Sequence, residues 1–159
     1  MDISIRAMTQ EDKSGIMQIL NNTTEFKPSE VVVAEEVIDS YLSDSYRSDY
    51  HILVAELNSI IAGYICFGPT PLTEGTWDIY WIAVAPDKQG QGIGSALLES
   101  AEKSIREAKG RLSIIETSST PAYDKTRRFH TRHGYKIIAR VPDFYAPGDD
   151  KLILQKRLR

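Results

Sequence analysis

Apolar positions along this chain switch between a period of two and a period of three to four. Ile3, Ile5 and Ala7 alternate with Ser4 and Arg6, which predicts a strand. Thr9 with Asp12 forms a capping box with Asp in place of Glu, opening a helix that carries Ile16, Ile19 and Leu20 on one face. Ser29 is placed to cap a second helix, with Val33, Val37, Ile38 and Leu42 at helical spacing. His51–Leu57 and Ile60–Phe67 are apolar runs joined at Asn58-Ser59, a hairpin signal. Gly68–Gly75, with Pro69 and Pro71, predicts a loop, and the aromatic, β-branched run Thr76–Val84 a strand ended by Pro86.

The second half is clearer still. Ile93, Leu97, Ala101, Ile105 and Ala108 form one stripe in a helix expected over Gly90–Lys109, with Gly110 closing it in a left-handed turn. Glu99/Lys103 and Glu102/Arg106 are i,i+4 pairs with the acid first, the better order. Arg111–Thr117 predicts a strand and Pro121–His133 a helix stopped by Gly134. Tyr135–Val141 and Lys151–Arg157 predict strands around a Pro142–Asp150 loop. The order β-α-α-β-β-β-α-β-α-β-β needs a parallel crossover around the long helix and antiparallel hairpins elsewhere, hence a mixed sheet.

Composition narrows the class. The 159 residues suit one domain, expected over the whole chain, and 19 basic against 22 acidic residues argue against a nucleic-acid binder. No apolar run is long enough to span a membrane, and the first ten residues hold no secretory segment, so a cytoplasmic protein is expected. Cys66 stands alone, without a Cys/His cluster for a metal, and reads as a small core residue.

The chemistry concentrates in Pro86-Asp87-Lys88-Gln89-Gly90-Gln91-Gly92-Ile93-Gly94-Ser95, after a strand and at the start of the long helix. Glycines remove side chains where backbone must approach a ligand, and a helix N-terminus offers unpaired amides to an anion, so the segment suits a phosphate or pyrophosphate. A P-loop would end in Gly-Lys-Ser/Thr, which is absent. A dinucleotide fingerprint would need a third glycine where Ser95 stands, although Glu116 imitates its ribose-binding acid.

Gln89-Gly90-Gln91-Gly92-Ile93-Gly94 matches the (Arg/Gln)-x-x-Gly-x-(Gly/Ala) signature of the GNAT superfamily of N-acetyltransferases. Ile79–Pro86 resembles their central strand, and Phe129-His130-Thr131-Arg132-His133-Gly134-Tyr135 is similar to their later Phe-Tyr-x-x-x-Gly-Phe motif. The resemblance covers nearly the whole chain. It implies an α/β (α+β) fold: a mostly antiparallel six- to seven-stranded sheet, about four helices, and a central parallel pair that splays apart. It implies acetyl-CoA as co-substrate, with no metal. The pyrophosphate would lie on the amides of Gln89, Gly90, Gln91, Gly92, Ile93, Gly94 and Ser95, and the pantetheine arm on the backbone of Ile82, Ala83 and Val84.

For the transfer itself, Asp78 and Glu116 are the candidate bases toward an acceptor amine. The thiolate's proton usually comes from a Tyr at the position His130 occupies, so His130 and Tyr123 are the candidate acids. Phe26, Tyr41, Tyr46 and Tyr50, with the Val141–Asp150 segment, are expected on the acceptor side. Arg127, Arg128 and Lys88 are candidate phosphate contacts. Trp77 and Trp81 are expected on one face of their strand. The partner implied is a small amine, with a homodimer as an expected assembly. A non-catalytic acyl-CoA-binding module on the same fold is the alternative.

Overall fold

The computed structural model describes residues 2–159; Met1 of the N-terminal stretch lies outside them. Seven strands form one sheet in the order β1-β2-β3-β4-β5-β7-β6. They are β1 (Ile3–Ala7), β2 (His51–Leu57), β3 (Ile60–Pro69), β4 (Thr76–Val84), β5 (Leu112–Ser118), β6 (Lys136–Ala146) and β7 (Asp149–Arg157). The helices are α1 (Lys13–Asn22), α2 (Pro28–Ser43), α3 (Ile93–Glu107) and α4 (Asp124–Arg132). All strand pairs are antiparallel except β4 with β5. No helix among the described residues is long and apolar enough to cross a membrane.

Two apolar clusters cover the two faces. On one, Ile93, Leu97, Leu98, Ala101 and Ile105 of α3 pack on Ile65, Phe67, Trp77, Ile79, Ile115 and Leu154. On the other, α1 and α2 place Ile16, Ile19, Leu20, Val37 and Ile38 on Ile52, Val54, Tyr64 and Cys66. Gly63 lets α3 sit close, since a Cβ there would stand 2.8 Å from the Ala83 carbonyl and 3.1 Å from Leu97. The Cys66 thiol is buried and pushed up to about 12, in keeping with a packing role.

Local chemistry explains most boundaries. The Thr9 amide donates to Asp12, as the capping box requires, and the turn runs directly into α1. The turn at Asn58-Ser59 has positive φ at both residues, the geometry of a tight hairpin. Four expectations are corrected. The second helix is opened by Pro28 behind Lys27, not by Ser29, because proline already has a helical φ; Val33 then faces outward and Ala34 inward. The C-terminus of α3 turns left-handed at Lys109, not Gly110. Gly110 is required there for a different reason: a Cβ would lie 2.3 Å from Ile105. Glu102 is buried and does not pair with Arg106. It bonds Tyr135 at 2.8 Å and Lys156 at 2.9 Å. Lastly, the 142–150 loop belongs to the β6–β7 hairpin, which turns only at Pro147-Gly148.

Candidate active site

The site begins with one extra residue in β4. Phe67 pairs with Ile79 and Cys66 with Trp81, so Tyr80 bulges out of the ladder. This reverses the faces beyond it. Trp77 packs in the α3 cluster and Trp81 against the α1/α2 cluster, which corrects the expectation that they share a face. The parallel ladder with β5 also stops at Ile79–Ile115, although both strands run on. From Tyr80 onward β4 has left β5. Ala85 donates to the Ala62 carbonyl at 2.8 Å. Antiparallel alternation then turns the N–H and C=O of Ala83 toward β3, and those of Ile82 and Val84 toward the opening.

A cavity of about 340 Å³ lies at the glycine-rich segment, lined by Ile82, Ala83, Val84, Lys88, Gln89, Gly90, Gly92, Ile93, Gly94 and Ser95. Gln91 is outside this lining. Gly90 and Gly92 have φ of +79° and +84°, and a Cβ on either would meet nothing within 4 Å. The backbone there is coiled left-handed around open room. The first bond of α3 runs from the Ala96 N–H to the Gly92 carbonyl, which leaves the amides of Ile93, Gly94 and Ser95 ahead of it. Three glycines plus a helix N-terminus are a cradle an anion fits. Lys88, Lys125 and Arg132 add positive charge around it. Lys125 is held by the Gln89 side chain at 3.0 Å. His133 braces the cradle from α4, bonding the Phe129 carbonyl at 2.8 Å and the Ser95 hydroxyl at 2.9 Å.

A second cavity of about 390 Å³ opens between the splayed strands. Phe26, Ile82, Tyr123 and Thr126 line both, so the two are joined. All four candidate catalytic residues face this second cavity. Asp78 accepts a hydrogen bond from the Thr70 hydroxyl at 2.7 Å. Glu116 is paired with Lys151 at 2.8 Å. Tyr123 donates to the Glu25 carbonyl at 2.9 Å; burial and the nearby Glu30, Glu25 and Asp149 push it up to about 12. His130 is 2% exposed, and its Nδ1 has no partner among the described residues. Burial, with a smaller push from His133, lowers His130 to about 4, so the ring is neutral at physiological pH.

The remaining expectations divide. Phe26 and Tyr145 reach the second cavity, whereas Tyr41 is buried in the core and Tyr46 is fully exposed. Tyr50 packs edge-on against Tyr80. Asp150 is tied to Arg140 at 2.6 Å, and Asp143 accepts the Gly148 N–H, so both brace the hairpin. Arg127 is spent on the Ser118 and Thr120 carbonyls and on Asp124 rather than on the glycine-rich cradle. Besides Lys88, the cations that reach the cradle are Lys125 and Arg132, which flank Phe129 at helical spacing, and Phe129 faces Gly94. That stripe was the sequence signal for them. Glu30 had none, since only the entry of α2 beside the sheet brings it to the cavity.

Residues 48–137 match the model of an acetyltransferase (GNAT) domain. A GNAT-family crystal structure from Desulfovibrio desulfuricans is 39% identical, with a TM-score of 0.95, covering 99% of this chain and 100% of that one. The Salmonella typhimurium yncA structure, which holds acetyl-CoA, is 22% identical with a TM-score of 0.80, covering 100% of this chain and 95% of that one. An uncharacterised N-acetyltransferase from Methanocaldococcus jannaschii is 30% identical over 107 residues. That match spans 65% of this chain and 64% of the relative's length. With more than half its length matched by the domain, and nearly all of it aligned with a structure 39% identical, the chain belongs to the GNAT acetyltransferase family.

Proposed function

We propose that this protein transfers an acetyl group directly from acetyl-CoA to the primary amine of a small acceptor. The observation that carries the reading is the junction of a cation-lined cavity with a carboxylate-lined one where β4 leaves β5. An anionic coenzyme and a cationic amine each suit the half of opposite charge. Acetyl-CoA supplies an activated acetyl group: a C–N bond to the acceptor forms, the C–S bond breaks, the nitrogen loses a proton and the sulfur gains one.

The amides of Gln89 to Ser95, with Lys88, Lys125 and Arg132, hold the phosphates in this reading. Ile82 and Val84 offer backbone groups to the extended arm, and the Val84 N–H polarises the acetyl carbonyl. An aliphatic ammonium has a pKa of about 10.4 and must be deprotonated before it attacks. Asp78 is the proton acceptor we assign, because Thr70 fixes one of its oxygens and leaves the other to the cavity. Glu116, already paired with Lys151, contributes field rather than proton transfer. Tyr123 is the proton donor we assign to the thiolate, since it keeps its phenolic proton at neutral pH. His130 presents a neutral ring to the same space.

Calorimetry with acetyl-CoA, followed by mass spectrometry of an amine panel, tests the reading. Binding together with amine-dependent release of CoA is expected. One observation favours the non-catalytic alternative: His130 stands at the usual Tyr position and carries no acidic proton at neutral pH. Tight acetyl-CoA binding with no amine acetylated would decide for that alternative.

A further inference from the structure

The acceptor cavity carries more negative charge than one ammonium calls for. Glu30, Asp78, Glu116 and Asp149 line it, and among the described residues Lys27 is the one cation that does. Asp78 and Glu116 are already engaged, by Thr70 and Lys151. Glu30 and Asp149 come from different elements, the first turn of α2 and the start of β7. Neither is in an ion pair among the described residues; Asp149 accepts only the Ser118 hydroxyl, at 2.5 Å. Both act on the same tyrosines. Burial raises Tyr123 and Tyr145, and the charges of Glu30 and Asp149 raise them further. Burial also raises the Glu30 carboxyl, against the pull of Lys27, and Asp149 adds to the rise. Two carboxylates on one cavity, neither held in an ion pair among the described residues, are the complement of a second positive charge.

An independent feature of the same cavity points to a ligand. His130 lines this cavity, and among the described residues its buried Nδ1 has no partner, although an unsatisfied polar atom in a packed interior is costly. Phe26, Tyr80, Trp81 and Tyr145 line the same cavity and give aromatic walls suited to an aliphatic stem and to cation–π contact.

We propose that the acceptor is an aliphatic diamine, a specificity that rests on the acetyl-transfer reading above. One amine reacts beside Asp78 and His130, the stem lies along the aromatic walls, and the second ammonium sits between Glu30 and Asp149. An α-amino acid is disfavoured, because its carboxylate would enter a cavity with four carboxylates and one lysine in its lining.

Steady-state kinetics at saturating acetyl-CoA test this, with diaminobutane and diaminopentane bearing terminal amines, butylamine and pentylamine as matched monoamines, neutral L-amino acids, and a short basic peptide. The diamines are expected to show kcat/KM about tenfold above the monoamines, mostly through KM, with the gap narrowing as salt is added. Glu30→Gln and Asp149→Asn are each expected to shrink that gap to about threefold or less. The acetyl-CoA Kd, read by calorimetry, checks that each variant is folded. Equal rates for diamines and monoamines, a preference for amino acids or the peptide, or a gap unchanged in both folded variants would overturn the diamine inference alone. Acetyl-CoA binding with no amine acetylated would overturn the transfer reading beneath it.

Discussion

Gly92 offers the sharpest test of the coenzyme site. It stands at the N-cap of α3 with φ +84° and ψ 7°. A Cβ added there touches nothing within 4 Å, so an alanine meets no clash within the protein. What remains is the left-handed backbone penalty for a residue with a side chain, about 1–2 kcal/mol. A chain of 159 residues has an unfolding entropy of roughly 0.33 kcal/mol/K, so Gly92→Ala should lower Tm by about 3–6 °C. Gly92→Asn and Gly92→Asp should cost no more, since both residues visit this region more readily. All three variants are therefore expected to fold.

Asparagine and aspartate part company in binding. The two side chains have nearly the same shape, but only aspartate sets a negative charge against the phosphates. At about 5 Å and an effective dielectric of about 20, one such like-charge pair is worth roughly 3 kcal/mol. Calorimetric titration should then give an acetyl-CoA Kd at least about 100-fold weaker for Gly92→Asp than for Gly92→Asn, with the difference shrinking as salt is raised. If the two bind within about threefold of each other at low salt, no phosphate lies on this loop and the reasoning fails. Gly94 is not an equivalent probe. Its Cβ would press on Phe129 at 3.2 Å, so a substitution there also disturbs how α3 packs on α4.

Further tests reach the parts behind the loop. Tyr135→Phe removes a hydroxyl bonded to the buried Glu102 and to Ser113, both at 2.8 Å, leaving the carboxylate with Lys156. A loss of about 1.5–3 kcal/mol is expected, read as a Tm drop of roughly 5–9 °C; a change under about 1 °C would show that the network adds nothing. His130 has a folded pKa near 4, below its ordinary 6.5, so the unfolded chain binds the proton first. Its contribution, on the order of 3 kcal/mol, is full above pH of about 6.5 and is lost as pH falls toward about 4. Urea unfolding across that window should show the loss in the wild type and not in His130→Phe, and an NMR titration of the ring above pH 6 would contradict it. For turnover, Tyr123→Phe is expected to lower kcat by about 100-fold, more than His130→Phe does; the opposite order would hand the proton-donor role to His130.

Legibility in the sequence followed the range of the interaction involved. The Asn58-Ser59 turn, the Thr9–Asp12 cap, the α3 stripe and the glycine-rich segment are decided within a few residues, and each stands where local pattern places it. Glu102 defeated that logic because its surroundings come from Tyr135 and Lys156, far along the chain. The 142–150 segment looked like a loop because Pro142 and Asp143 break strand pattern. An edge strand tolerates both: β6 has no neighbour on its outer side, and Asp143 takes a positive φ within an irregular stretch of the hairpin. Simple alternation through Tyr80 places Trp81 on the face of Trp77, and the extra residue at Tyr80 puts it on the other.

The bulge at Tyr80 is the feature on which the cleft depends. Read alone, Thr76–Val84 is an unbroken strand, and nothing in it asks for a bulge. Read against β3, the choice is forced. Cys66 and Tyr64 face the α1/α2 cluster, as do their partners Trp81 and Ala83, whereas Phe67 and Ile79 face α3. A strand without the extra residue would turn Trp81 and Ala83 toward α3, or Trp77 and Ile79 away from it, and either exchange strips large apolar side chains from a packed layer. Expelling Tyr80 satisfies both layers. It also bends β4 away from β5 where their ladder ends, which leaves the N–H and C=O of Ile82 and Val84 facing the opening without strand partners. The same core packing that holds the two faces of the sheet therefore creates the unpaired backbone that an extended ligand can use. The site is a consequence of the core and not an addition to it.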